Sequence, residues 1–201
     1  AKIQINSGSF RDPRGQVAQG ANGEIYRFIH PYGYDPFCAV EASGLYDALI
    51  KKGALIAHNR VDNSSTFGQT DAKIVLQHPK IPFISYPYEW CFEQLKDAAL
   101  LQLDIYLESL KFNQTLSDAT AFNIQFIGAK PIFIDTLSFT AYENGMFWKG
   151  QQQFADQFLN PLLLSAHTSL AFNDTYRGSM QGISPDMVRT ALPFHKKLSI
   201  N

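Results

Sequence analysis

The spacing of apolar positions changes character part-way along this chain. Near the N-terminus it has the period of strands. Glu24-Ile25-Tyr26-Arg27-Phe28-Ile29 alternates polar and apolar side chains, as a half-buried strand does. Ahead of it, Gln16-Val17-Ala18-Gln19 is followed by Gly20-Ala21-Asn22-Gly23, whose Asn-Gly step marks a hairpin. Ser7-Gly8-Ser9-Phe10 leads into Asp12-Pro13-Arg14-Gly15, a strong turn sequence. Together these predict a three-stranded antiparallel meander. After a loop over 30–36, Val40, Leu45, Leu49 and Ile50 give residues 37–52 a helical stripe that Gly53 ends. Residues 59–71, rich in Ser, Thr and Asn, are expected as a surface loop. Lys73-Ile74-Val75-Leu76 and Ile81-Pro82-Phe83-Ile84-Ser85-Tyr86 flank Gln77-His78-Pro79-Lys80 and predict a second hairpin.

From residue 89 the period becomes helical. Phe92, Leu95, Ala99, Leu103, Tyr106, Leu107 and Leu110 share one face of a helix over 89–112. A strand at 123–127 turns at Gly128-Ala129-Lys130 and returns over 131–135. Residues 147–170 are helical again, with an interruption near Pro161, and one short helix precedes Pro193. The expected fold class is α+β, divided near Pro87-Tyr88. Residues 1–86 form a β-rich N-terminal lobe with one helix. Residues 87–201 form a mainly helical C-terminal lobe that carries the hairpin 123–135.

Composition narrows the function classes. Of 201 residues, 45% are hydrophobic and 17% charged, so the chain can build a core and is too apolar for disorder. A net charge of -1 supplies no basic field for nucleic acid. The two cysteines, Cys38 and Cys91, and the scattered histidines lack metal-ligand spacing. Ala1-Lys2-Ile3-Gln4-Ile5-Asn6 lacks the apolar core of a signal peptide, and no apolar run approaches the ~20 residues of a membrane span. A cytoplasmic protein without a membrane partner is the expectation, with the chain open to being a piece of a longer polypeptide.

The chemistry-bearing pattern lies between 118 and 135. Asp118 and Asn123 stand as D-x-x-x-x-N, and Asp135 closes the hairpin that Asn123 begins. Phosphoryl transfer from ATP needs a carboxylate to take or orient the attacking hydroxyl's proton, and oxygen ligands to hold Mg²⁺ against the phosphates. A tight hairpin sets its ends, Asn123 and Asp135, side by side. The loop before Asn123 can return Asp118 to the same place. Each residue alone also reads as a loop or cap residue.

Leu116-Ser117-Asp118-Ala119-Thr120-Ala121-Phe122-Asn123-Ile124-Gln125-Phe126, followed by Ile132-Phe133-Ile134-Asp135, resembles the catalytic loop and metal-binding strand of the protein-kinase-like superfamily. Its nearest flavour is the aminoglycoside and choline phosphotransferase branch. The resemblance implies a two-lobed protein-kinase-like fold with Mg²⁺ and ATP as cofactors. It makes Asp118 the catalytic base, with Asn123 and Asp135 the metal ligands. Residues 73–86 become the last two strands of the small lobe, Pro87-Tyr88-Glu89 the hinge that meets adenine, and the helix from Phe37 the regulatory helix. Arg27 takes the position that the resemblance gives to the strand lysine that pairs with ATP phosphates, and Glu41 is the candidate for its helix partner. Read alone, Arg27 is equally an exposed strand residue and Glu41 an ordinary helix surface charge. Tyr86 and Tyr88, with Phe83 and Trp90, read first as lobe-interface packing and second as a wall against a flat base.

The sequence departs from that pattern. Leu116 stands where a histidine is usual, and Leu137 replaces the glycine that often ends the metal motif. Gly15-Gln16-Val17 matches only the end of G-x-G-x-x-G-x-V. Arg27 is not equivalent to lysine. An active phosphotransferase-like domain and a degenerate, pseudokinase-like module both fit. A binding domain whose hairpin resembles kinases by chance is the blander reading.

Ser9-Phe10-Arg11-Asp12-Pro13-Arg14-Gly15, Ser43-Gly44-Leu45, the stretch from Ile81 through Trp90 and Ile134-Asp135-Thr136-Leu137-Ser138-Phe139 carry a second resemblance. They are similar to the N-terminal region of bacterial proteins described as class I S-adenosylmethionine-dependent methyltransferases, some nodulation-related. This implies a C-terminal methyltransferase domain on the same polypeptide as partner. The chain has no glycine-rich strand-turn-helix of its own, so no S-adenosylmethionine site is expected within it.

Overall fold

The computed structural model describes residues 4–5, 12–61 and 71–193. The expected strand around Ser7–Phe10, most of the expected 59–71 loop and the tail after Pro193 lie outside the described residues.

A five-stranded antiparallel sheet opens the chain. It comprises β1 (Gln4–Ile5), β2 (Gly15–Gln19), β3 (Ile25–Ile29), β4 (Asn59–Val61) and β5 (Ile74–His78), in the order β1-β2-β3-β5-β4. The meander is present, with Gln4–Ile5 as its first strand. Gly15 opens β2, opposite Ile29 of β3. A Cβ there would overlap the Phe28 carbonyl oxygen and lie 2.8 Å from Leu137 Cδ1.

The second hairpin does not form. β5 pairs instead with β4, hidden in the polar stretch expected as loop, and with β3. Pro79 and Pro82 deprive residues 79–86 of ladder donors. A buried glutamine holds this segment instead: Ser85 N donates to Gln125 Oε1 at 3.0 Å, and Gln125 Nε2 donates to Ser85 O at 2.9 Å.

The expected helix over 37–52 is two. α1 (Pro31–Ser43) begins at a proline in the first turn, where the missing N–H is harmless. It ends at Gly44, whose φ of 83° breaks the helical run before α2 (Leu45–Lys51). Ile56 N then donates to Phe133 O at 2.9 Å and Phe133 N to Ala54 O at 2.8 Å, tying the chain after α2 to the hairpin that ends at Phe133.

α3 (Phe92–Lys111) buries Leu95, Ala98, Ala99, Gln102, Ile105 and Ser109. Its inward face is rotated from the expected one, for Leu107 is 57% exposed. β6 (Gln114–Leu116) pairs with β9 (Phe139–Ala141), and β7 (Ile124–Ile127) with β8 (Lys130–Phe133), turning at Gly128 as expected. The last helical stretch runs as α4 (Gln151–Phe154), a π-helical turn (Ala155–Leu159) and α5 (Asn160–His167). No break occurs at Pro161; the wide turn just before it absorbs the irregularity. This turn releases the Asp156 carbonyl, which accepts from Ile183 N at 2.8 Å. α6 (Phe172–Gly178), which its polar Asn173-Asp174-Thr175 hides from apolar periodicity, and α7 (Pro185–Ala191) complete the described chain.

One core joins both parts. Ile29, Phe37, Leu49 and Leu55 from the first half pack in the same cluster as Trp90, Leu95, Leu116, Phe133 and Phe158 from the second. The fold is α+β, with a sheet carrying helices in front of a mainly helical half.

Candidate functional site

The loop between β6 and β7 is held from below by two glutamines. Gln153 Oε1 accepts from Ala119 N at 2.9 Å. Gln157 Oε1 accepts from Ala121 N at 2.8 Å, Thr120 Oγ1 at 3.0 Å and Tyr176 Oη at 3.3 Å. The π-helical turn carries Gln157 to this position. Thr120 Oγ1 also accepts from Phe122 N at 3.3 Å, starting the short 3-10 turn Ala121–Asn123. Asp118 and Asn123 therefore sit at the two ends of a fixed loop. Asn123 O accepts from Ile134 N at 2.8 Å, which extends the β7–β8 pairing and delivers Asp135 next to Asn123.

Asp118, Asn123 and Asp135 come together, and Ser138 links them. Ser138 Oγ donates to Asp135 Oδ2 at 2.8 Å. Asn123 Nδ2 donates to Ser138 Oγ at 3.1 Å and approaches Asp118 Oδ2 at 3.4 Å. Asp135 Oδ1 accepts from Leu137 N at 3.1 Å and pairs with Arg27 Nη1 at 2.6 Å. Arg27 Nη2 reaches Ile134 O at 3.3 Å. Both side chains of the ion pair are mostly buried, at 12% and 15% exposure.

The two carboxyls are driven apart electrostatically. Burial and then the charge of Asp135 raise Asp118 to about 6. Asp118 Oδ1 is buried and has no hydrogen-bond partner among the described residues. Burial pushes Asp135 up as well, but Arg27, Ser138, the Leu137 N–H and Arg14 together hold it below the ordinary carboxylate range. Of the two carboxyls, Asp135 is thus held in its charged form and Asp118 lies nearer neutrality.

Arg14 was read only as part of a turn, yet it borders the cluster. Its Nη1 donates to Leu137 O at 2.7 Å and Nε pairs with Asp12 at 3.1 Å. Tyr46, on α2, donates to Thr136 O at 2.7 Å and so pins the residue after Asp135; burial raises its phenol. Neither role leaves a mark in the local sequence, because both partners are backbone carbonyls.

Glu41 does not meet Arg27. It pairs with Arg60 of β4, whose Nε lies 3.1 Å from Glu41 Oε1. Arg27 points instead from β3 to Asp135, just past β8. Tyr86 and Tyr88 stack on each other, with ring centroids 5.5 Å apart and planes 11° from parallel. Tyr86 reaches Phe122, the neighbour of Asn123, at 6.5 Å between centroids, while the Arg177 guanidinium lies 5.6 Å from the Tyr88 ring centroid. The pair thus stands beside the loop and chiefly packs on itself.

Among the described residues no group of three His, Cys, Asp or Glu side chains is placed to hold a metal. The hard donors present are the Asp135 carboxylate, the Asn123 amide, the Ser138 hydroxyl and the unpartnered Asp118 oxygen. Asn123 turns its amide nitrogen toward Ser138 and Asp118, so the all-oxygen set that Mg²⁺ takes needs that amide reversed.

No family model matches the chain. It is 40% identical over 185 residues to the nodulation protein NoeA of Rhizobium meliloti (strain 1021). The match covers 91% of this chain and 38% of NoeA, so the chain spans well under half of that relative's length. Among solved structures, vaccinia related kinase 3 aligns with a TM-score of 0.42 and 13% identity, over 71% of this chain and 49% of the kinase. Among the described residues no helix is long and apolar enough to cross a membrane.

Proposed function

We propose that this chain is a kinase-like domain that binds a magnesium nucleotide and supports phosphoryl transfer to a hydroxyl. The observation that carries the reading is the convergence of Asp118, Asn123 and Asp135, the last two joined through one buried hydroxyl and the first reached by the Asn123 amide, with Arg27 against Asp135. Asn123 and Asp135 would hold Mg²⁺, which would neutralise the phosphate charge. Arg27 would face the phosphates from β3. Asp118 would take the proton of the acceptor hydroxyl as its oxygen bonds to phosphorus and the γ-phosphorus–oxygen bond of ATP breaks, releasing ADP. A carboxyl at about 6 is ionised at neutral pH yet basic enough to accept that proton. Tyr86 and Tyr88 would flank the base only after unstacking from each other. Calorimetric titration with Mg-ATP tests this. Binding by the wild type and loss in Asp135→Ala are expected; no heat for the wild type, or an equal response for the variant, would sink it.

A second reading is favoured by the Arg27–Asp135 contact itself. Both carboxylate oxygens already have partners, which suits a degenerate module that holds a substrate or partner for a methyltransferase domain further along the same polypeptide. The length of NoeA beyond the aligned region supports this. If deleting residues 1–201 from the whole protein left methyl transfer unchanged, this reading would fail.

A further inference from the structure

Ser138 is fully buried, and its hydroxyl sits at the centre of the cluster. It donates to Asp135 Oδ2 and accepts from Asn123 Nδ2, which in turn approaches Asp118 Oδ2. Its main chain is fixed on both sides. Ser138 O accepts from Ser117 N at 2.8 Å and from Ser117 Oγ at 3.0 Å, and Ser138 N is turned back onto Asp135 O at 3.5 Å. The turn from Asp135 to Ser138, closed also by Leu137 N on Asp135 Oδ1, therefore directs both side-chain oxygens to one side.

Resting on the magnesium-nucleotide reading above, we propose that Ser138 Oγ is a third protein ligand of the ion, beside Asp135 Oδ2 and the Asn123 amide oxygen. The argument is geometric. Octahedral Mg²⁺ with bonds near 2.0–2.1 Å sets neighbouring ligand atoms about 2.9 Å apart. The two separations at Ser138 Oγ, 2.8 Å to Asp135 Oδ2 and 3.1 Å to the Asn123 amide, bracket that edge. Two of the three edges of one octahedral face are thus already set at Ser138 Oγ. A half-turn of the Asn123 amide puts its oxygen where Nδ2 stands and exchanges a donor for a hard acceptor. Without the ion, the Ser138 hydroxyl proton and the Asn123 N–H satisfy the acceptors that a cation would otherwise satisfy. Arg27 and the Leu137 N–H engage Oδ1 and leave Oδ2 to this face. Asp118, farther off at 3.4 Å from Asn123 Nδ2, remains outside the ligand set as the base.

Binding of Mg²⁺ and Cd²⁺ with ADP, measured by calorimetry on the intact chain, tests the assignment without turnover. The wild type binds Mg-ADP and Asp135→Ala does not. Ser138→Ala weakens Mg²⁺ by about tenfold or more, on the scale seen when groups around a metal are removed. Ser138→Cys, which replaces hard oxygen with soft sulfur, loses Mg²⁺ affinity and gains Cd²⁺ affinity relative to the wild type. That ratio is read within one folded variant, so it holds even if Ser138→Ala is unstable. Wild-type Mg-ADP affinity in Ser138→Ala, or a cysteine variant with no gain for Cd²⁺, overturns the ligand role while the nucleotide reading stands. A wild type that binds neither metal nucleotide overturns both.

Discussion

Arg27 and Asp135 meet at 2.6 Å across the two halves of the molecule, one from the third strand of the sheet and the other from the residues just past β8. Removing one member strands the other in a mostly buried place. Arg27→Met is expected to lower stability by about 3 kcal/mol, whereas Arg27→Met with Asp135→Leu recovers most of the loss. Urea unfolding of the single and double variants measures this. Because Asp135 is depressed, the pair's contribution is fully present above the ordinary carboxylate range and is lost only as acid goes below it.

Asp118 has the opposite sign. Its folded carboxyl is raised to about 6, so between the ordinary aspartate range and that value the folded state binds more protons than the unfolded one. Stability falls as pH rises through this window. Asp118→Asn removes the penalty. It should stabilise the protein by about 2–3 kcal/mol above pH ~7, with the gain vanishing below pH ~4. Melting temperatures of both proteins across that range decide it; a pH-independent difference would refute the assignment.

Gln157 accepts from three donors with one oxygen. Gln157→Leu leaves the buried Ala121 N–H without an acceptor and should cost about 2 kcal/mol. Amide exchange at Ala121 should quicken more than exchange along α3.

Gly15 has no room for a side chain beneath the Phe28 carbonyl. Gly15→Ala is expected to destabilise by about 1–3 kcal/mol through overpacking between β3 and Leu137. Thermal unfolding reads the change.

Glu41 supplies the contrast. Its pair with Arg60 is solvent-exposed, so Glu41→Ala should change stability by less than about 1 kcal/mol. Mg-ATP titration should be unaltered; a large loss would mean that Glu41 reaches the cluster after all.

The parts of this fold that were legible in the sequence are those fixed by local chemistry. The Gly128 turn and the spacing of Asp118, Asn123 and Asp135 act within short stretches, as does the strand character of β3, although neighbouring Phe28 and Ile29 are both buried and its expected half-buried alternation is not kept. What was hidden depends on partners remote in sequence. β4 is a strand because β5 offers it a ladder, although Asn59 and Arg60 look like loop. Glu41 then finds Arg60 on that unforeseen strand, so one missed element misdirected one site residue. Gln125 and Gln157 serve as buried struts and Gln153 as a half-buried one, and nothing in composition separates them from surface glutamines. Ser138 escaped notice because a serine three residues past an aspartate is commonplace until the turn brings both oxygens to one face.

The wide turn at Ala155–Leu159 ties the far end of the described chain to the loop that holds Asp118. One side of it presents Gln157 to that loop, and its freed Asp156 carbonyl grips Ile183. A helix wound evenly through this region would lose both attachments at once. The irregularity works as a shared rivet: whatever pulls on the segment around Ile183 also pulls, through a single turn of backbone, on the floor of the candidate site.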